Sequence, residues 1–323
     1  MSQSTEAIKH ELKIGLDQSG QRIDTAVAQL LPEYSRSVIK QWILQGMLLR
    51  NGSLCKPKDI VYSNDSILIC ATLEQRSLDH PEAITLEIIY EDESLIIINK
   101  PVGLVVHPGN GHSQGTLVNG LLHHCPELAD LPRAGLIHRI DKGTSGLLII
   151  AKHLIAHNKL AQALMLREVK RQYYALVQGE MISGGTVDAP IGRHPQNRVK
   201  MAVVNHGKPA KTHFRIAERL NHYTLTDVTL DTGRTHQIRV HMQHIGYPIV
   251  GDPLYNPRLK LPKHSTDECN AALRDFQHQA LHAYRLSLNH PITDKTLEWQ
   301  VPIPKDFSSL LETLRQNTAD NHN

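Results

Sequence analysis

At 323 residues the chain is too long for one average domain and suits two, and a hydrophobic fraction of 40% supports an ordinary folded core. The formal net charge of +3 is too small to name a partner. No apolar run reaches membrane-spanning length, the polar start lacks a secretory h-region, and Cys55, Cys70, Cys125 and Cys269 form no Cys-x-x-Cys pair, which excludes a spanning helix and a zinc ribbon and points to a reducing cytoplasm.

Residues 1–15 read as a polar, poorly ordered arm. A small domain follows over 16–75. Ile23, Val27, Leu30 and Leu31 recur at helix spacing until Pro32. Ser35 is placed to cap a second helix, with Val38, Trp42 and Ile43 as its apolar stripe and Gly46 as its stop. Met47–Arg50 then predicts a strand, and Asn51-Gly52 a tight hairpin turn. Between Tyr34 and Lys58 lie Arg36, Lys40, Arg50, Lys56 and Lys58 with no acid among them, the charge pattern of a phosphate-facing surface or of a solvated face. Residues 76–87 read as a linker.

A larger domain spans 88–315, with a polar tail at 316–323. Leu86–Tyr90 and Leu95–Ile98 predict a hairpin around Glu91–Ser94, and Thr116–Leu122 a helix. Gly135–Ile137 and Leu147–Ala151 read as two short buried strands. The loop between them holds Asp141 with Arg139 and Lys142 on either side. Flanking cations favour an ionised carboxylate, as a nucleophile needs, yet a loop Asp also serves simply as a turn cap. After a helix over 153–168, Arg171–Val177 alternates as a strand with Tyr173, Ala175 and Val177 on one face. Asp188–Pro195 predicts a turn, and Lys200–Val204 pairs with Thr212–Ile216 as a hairpin. Ala189–Ala217 carries Arg193, Arg198, Lys200, Lys208, Lys211 and Arg215, again with no acid. Tyr223–Leu230 predicts a strand. Thr235 would cap a helix carrying Ile238, Met242 and Ile245, stopped by Gly246. His236, His241 and His244 form the densest histidine group but lack His-Glu-x-x-His spacing, so no metal is expected. A strand at Trp299 and a helix over Phe307–Leu314 close the domain.

His138-Arg139-Ile140-Asp141 with Thr144-Ser145-Gly146, and Gly233-Arg234-Thr235-His236-Gln237-Ile238-Arg239, resemble the two signatures of the RluA-type RNA pseudouridine synthases. Asn99-Lys100-Pro101, Val105–Gly109 and Gly251–Tyr255 resemble the segments around them, with Ile140 standing where that family usually has Leu. Arg22-Ile23-Asp24, Ser35-Arg36-Ser37, Gly46, Asn51-Gly52 and Lys56-Pro57 resemble an S4 RNA-binding module. The resemblance implies an α+β chain: an S4 module, then a catalytic domain on a mostly antiparallel mixed sheet flanked by helices and loops.

The same resemblance implies that Asp141 is catalytic, that Arg234 pairs with it and that Tyr173 meets the target base. Ile238 would line the base pocket, and Arg139 would fill the space left by a flipped nucleotide. RNA contacts would come from Arg22, Arg36, Lys40, Arg50, Lys56, Arg193, Arg198, Lys200, Lys208, Lys211 and Arg239. The implied partner is ribosomal RNA, namely 23S RNA at the helix 69 stem-loop, or the large-subunit particle, met by a monomer without membrane. Isomerising uridine needs neither redox change nor energy input, so no cofactor is expected; there is no P-loop and no Gly-x-Gly-x-x-Gly. The alternative is a non-catalytic, S4-containing RNA-binding assembly factor. A glycoside-type hydrolase lacks an evident second carboxylate.

Overall fold

Ile8 and Leu12 turn toward one face, and the segment Glu6–Lys13 is strand β1 rather than the loose arm expected of residues 1–15. What orders it is distant: β1 pairs antiparallel along its length with β4 (Ser66–Leu73). β4 also pairs with β2 (Leu48–Arg50), and β2 with β3 (Ser53–Leu54). Asn51 and Gly52 turn that hairpin with φ of 50° and 76°, the two left-handed positions of a tight turn. Helices α1 (Ile23–Leu30) and α2 (Arg36–Leu44) set Ile23, Val27, Ile39 and Trp42 into one core with Leu48, Ile67 and Ile69. The computed structural model describes residues 6–31, 34, 36–73, 80–107, 114–262 and 265–320. The expected helix stop at Pro32, the cap at Ser35 and part of the linker lie outside them.

The chain divides into two units, Met1–Leu78 and Asp79–Asn323. In the second, β5 (Ile88–Glu91) and β6 (Leu95–Lys100) form the expected hairpin. α3 (Leu117–His124) starts at a capping box in which Thr116 and Asn119 exchange side-chain and backbone hydrogen bonds. Two 3₁₀ turns at Pro126–Asp130 and Pro132–Gly135 lead to the Asp141 loop. Beyond it come β7 (Ser145–Ala151), α4 (Leu154–Met165), β8 (Lys170–Gln178) and β9 (Gly185–Asp188). β10 (Ile191–Arg193), β11 (Met201–Val203), β12 (Lys211–Leu220), β13 (Tyr223–Leu230) and α5 (Gln237–His244) follow. α6 (Asp267–Asp275), β14 (Leu281–Asn289), β15 (Thr296–Gln300) and α7 (Lys305–Asp320) complete the unit.

The main sheet runs β5-β6-β7-β14-β8-β13-β12-β9, with β15 also on β14. Among the described residues only β7 and β14 run parallel in it, so it is mixed and mostly antiparallel as expected. Three further expectations are corrected. Gly135–Ile137 is not a strand: Gly135 is the last residue of the second 3₁₀ turn, and the segment touches β7 only through an isolated Leu136–Ile150 bridge and the Ile137 N–H to the Ile149 carbonyl. β11 pairs with β10, not β12, because Lys208 crosses back to hydrogen-bond Ile191 and frees β12 for β13 and β9. α7 continues through most of the supposed tail, held by buried Asn317, whose side chain accepts the Thr266 N–H. α6 was not anticipated.

β7 leaves the Asp141 loop through Gly146, whose φ is 114° and where a Cβ would stand 2.3 Å from the Ala283 carbonyl oxygen. Gly146→Ala should therefore destabilise the protein by about 2–4 kcal/mol, from overpacking plus backbone strain. A urea midpoint indistinguishable from wild type would contradict this close approach.

Candidate active site

Asp141 follows buried Ile140 and stands one-fifth exposed at the edge of a cavity. Its loop is tied down from several sides. The Thr144 N–H donates to the Asp141 carbonyl at 3.0 Å, and Gln279 Nε2 donates to Thr144 Oγ1 at 3.0 Å. Gly103 N–H donates to the Lys142 carbonyl at 2.9 Å. Lys100, fully buried at the end of β6, donates to the same carbonyl at 3.2 Å and to those of Pro101 and Leu104 at 2.6 and 3.0 Å. Its three N–H donors thus meet three backbone acceptors. Burial drives the Lys100 ammonium down to about 7, with attraction to Asp141 opposing the shift. Sequence reading noticed Lys100 only as part of a motif; a lysine closing a strand that opens with four apolar residues was the available signal.

The cation on Asp141 is Arg239, not Arg234. Arg239 Nη1 donates to Asp141 Oδ2 at 2.8 Å, while its Nε and Nη2 grip Asp252 at 2.6 and 2.9 Å. Asp252 is wholly buried and also accepts the backbone N–H groups of Leu254 and Tyr255. The Tyr255 ring lies 5.0 Å from the guanidinium carbon. Burial opposes the charge on Arg239, but bonding and attraction to Asp252 and Asp141 outweigh it and push its pKa up. Arg239 was expected to face RNA; at 4% exposure it has no surface to offer. Arg234 precedes α5 and instead donates from Nε to the Pro209 carbonyl at 3.0 Å.

The helix start explains the difference. His236, not Thr235, immediately precedes α5, with φ of 56°, and the Gln237 side chain accepts the Arg234 N–H. That left-handed step turns Arg239 inward and leaves Arg234 on the preceding turn. His236 Nε2 stands 3.8 Å from Asp141 Oδ1, and its Nδ1 is 2.8 Å from the Tyr255 hydroxyl, which accepts the Met201 N–H. Burial lowers the His236 pKa despite Asp141. A neutral ring taking the Tyr255 proton at Nδ1 would keep its own N–H on Nε2, facing Asp141.

The cavity has a volume of about 470 Å³, within the range of small-ligand pockets. Tyr173, Ile238, Ile140 and Leu281 give it apolar walls, and Arg139 stands exposed at its rim. Tyr173 is 4% exposed, and burial pushes its phenol up. Two buried wall groups were missed by sequence reading. His138 has neither ring nitrogen paired, and Arg171 Nε is also without a partner among the described residues. Burial, then the Arg171 charge, drives His138 down to about 3, so its ring is neutral at pH 7.

The expected RNA-facing residues fall into two kinds. Lys40 and Lys56 in the first unit, and Arg193, Arg198 and Lys208 in the second, are exposed. The rest are partly engaged. Arg22 and Arg36 each reach buried Asp24 at 3.0 Å, Arg50 reaches Asp65 at 2.7 Å and Lys211 reaches Asp188 at 2.7 Å. Lys200 lies over the Tyr255 ring at 5.9 Å.

A family model described as RNA pseudouridylate synthase matches residues 94–244, and an S4 domain model matches residues 21–67. Ribosomal large subunit pseudouridine synthase D of Pseudomonas aeruginosa is 49% identical over 313 residues, which is 97% of this chain and 98% of that protein. The chain belongs to the RNA pseudouridine synthase family. The protein of the same description from Escherichia coli K12 is 50% identical over 300 residues, covering 93% of this synthase and 92% of its relative. The solved structure of human RNA pseudouridylate synthase domain containing 4 superposes with a TM-score of 0.55 at 26% identity, over 71% of this chain and 93% of that one.

In the synthase, Arg239→Gln leaves two carboxylates without their shared cation. The expected cost is about 3–5 kcal/mol of stability and at least about a hundredfold in kcat. Arg234→Gln should shift stability by less than about 0.5 kcal/mol. Urea titration of both variants checks this, and equal losses would contradict the assignment of Arg239.

Proposed function

We propose that the synthase converts specific uridines of large-subunit ribosomal RNA to pseudouridine, in 23S RNA at the helix 69 stem-loop, acting as a single chain in the cytoplasm. The observation that carries the chemistry is one carboxylate, Asp141, fixed at a cavity edge by a buried Arg239–Asp252 pair and facing a tyrosine wall. The near-full-length likeness to proteins described as acting on the large ribosomal subunit supports the substrate. The S4 match supports docking on structured RNA. Four free cysteines, and the lack of any helix long and apolar enough to cross a membrane among the described residues, fit the location.

The reaction breaks the bond from C1′ to N1, turns the base and bonds C1′ to C5; one proton leaves C5 and one arrives at N1. Oδ2 of Asp141 is occupied by Arg239, which leaves Oδ1 for the sugar, either to attack C1′ or to take a sugar proton. The target uridine must leave its stack to reach that oxygen. Arg139, planar and exposed at the rim, fills the vacated space by stacking. The freed base turns against Tyr173, with Ile238 behind it.

Wild-type protein incubated with ribosomal RNA should yield pseudouridine at discrete positions by carbodiimide primer extension, and Asp141→Asn should yield none. RNA bound but unmodified by the wild type would contradict the reading and favour an assembly factor. For the S4 module, Lys40→Ala with Lys56→Ala is the cleaner probe, because Arg36 and Arg50 also neutralise Asp24 and Asp65. The pair should weaken RNA binding and lower the slope of log affinity against log salt by up to about 2. Unchanged affinity and slope would remove these lysines from the interface.

A further inference from the structure

Arg234 is left without the role its motif suggested, and its position supplies another. Together with Gly233 and Thr235 it forms a wall shared by the active-site cavity and a second cavity of about 530 Å³. The second cavity has buried Ile191 and half-buried Met201 as apolar surface, and Arg193, Lys208 and Arg234 as cations. No Asp or Glu is among its described lining residues. The cations are held without neutralisation: Arg193 Nη1 donates to the Arg198 carbonyl at 2.9 Å and Arg234 Nε to that of Pro209, which fixes both stems and leaves both charges unpaired by acid. At the shared wall, Gly233 has the Arg171 guanidinium directly behind it: a Cβ there would meet Arg171 Nη1 at 2.9 Å. A side chain at 233 would press on that cation, whereas glycine lets the Arg171 guanidinium lie directly against the wall.

We infer that the second cavity seats a nucleotide adjoining the target uridine, with the phosphate that links the two crossing the wall at Gly233–Thr235 between Arg171 and Arg234. This rests on the reading of the enzyme as acting on RNA and adds where the strand runs. A uridine in the first cavity stays covalently joined to its neighbours, so the strand must leave over one wall. This is the wall with cations on both sides and a glycine in it. A phosphodiester takes up paired guanidinium donors, and a base has apolar surface at Ile191 and Met201. Arg234 is thereby a substrate-binding residue for the flanking phosphate rather than a partner of Asp141.

The test uses full-length protein and a stem-loop RNA containing a uridine mapped as modified, in which the flanking phosphates are replaced one at a time by neutral methylphosphonates. Arg234→Gln should raise KM about tenfold on unmodified-backbone RNA with kcat within about twofold of wild type. One neutral linkage should do the same to the wild-type enzyme, and that linkage should cost the variant nothing more. Arg193→Gln with Lys208→Gln, both exposed positions, should raise KM in the same direction. The inference is overturned if Arg234→Gln lowers kcat a hundredfold at unchanged KM, or if its effect multiplies with that of every neutral linkage. If the wild type modifies no ribosomal RNA, the functional reading fails instead, and the same cycle read as Kd still decides the subsite.

Discussion

A single buried guanidinium shared by two carboxylates governs this active site. Arg239 cannot leave Asp252, whose burial is complete and whose remaining lone pairs are taken by backbone N–H groups. Its third donor direction is therefore fixed in space, and Asp141 sits at the end of it. Removing both charges from water is costly, and geometry this well satisfied is what offsets the cost. The consequence is a carboxylate with one oxygen bonded to Arg239 and the other outside that bond. The same constraint reaches outward. Tyr255 packs on Arg239, bonds His236 and receives the Met201 N–H, so β11 and its neighbouring basic residues are linked to the Asp141 loop through continuous contacts.

The sheet supplies the rigidity that this requires. β7 carries the loop, and β14 clamps it through the close pairing at Gly146 and through the Ser145–His282 hydrogen bond at 2.9 Å. β8 presents Tyr173 from the other side of β14. Lys100 fastens the loop backbone from β6. The Asp141 loop is held by Lys100, Arg239 and Gln279, each distant from it in sequence, and its precision depends on all of them.

How much of this could be read from residues follows from what each feature depends on. Tyr223–Leu230 and the Asn51-Gly52 turn were legible because alternation and turn chemistry are local. The facing of Tyr173 was legible for the same reason. β1 was not, since few apolar positions mark it and its order comes from β4, whose paired residues lie 53 to 67 positions on. The choice between Arg234 and Arg239 was illegible in the motif, because it turns on one left-handed residue, His236, that precedes the helix. A signal did exist: Arg239 lies between Ile238 and Val240 on a helix that is buried nearly all round. A charge at such a position requires an acid, and Asp252 follows eight residues after the helix ends.

The most direct measurement is a double-mutant cycle on the single-turnover rate, combining Asp252→Asn with Arg239→Gln. Asp252 is fully buried, away from the cavity lining, and the side chain it grips is that of Arg239. The expected result is that Asp252→Asn alone slows turnover about tenfold or more, and that the double variant is no slower than Arg239→Gln alone. Rate losses that multiply would contradict a single Asp252–Arg239–Asp141 unit.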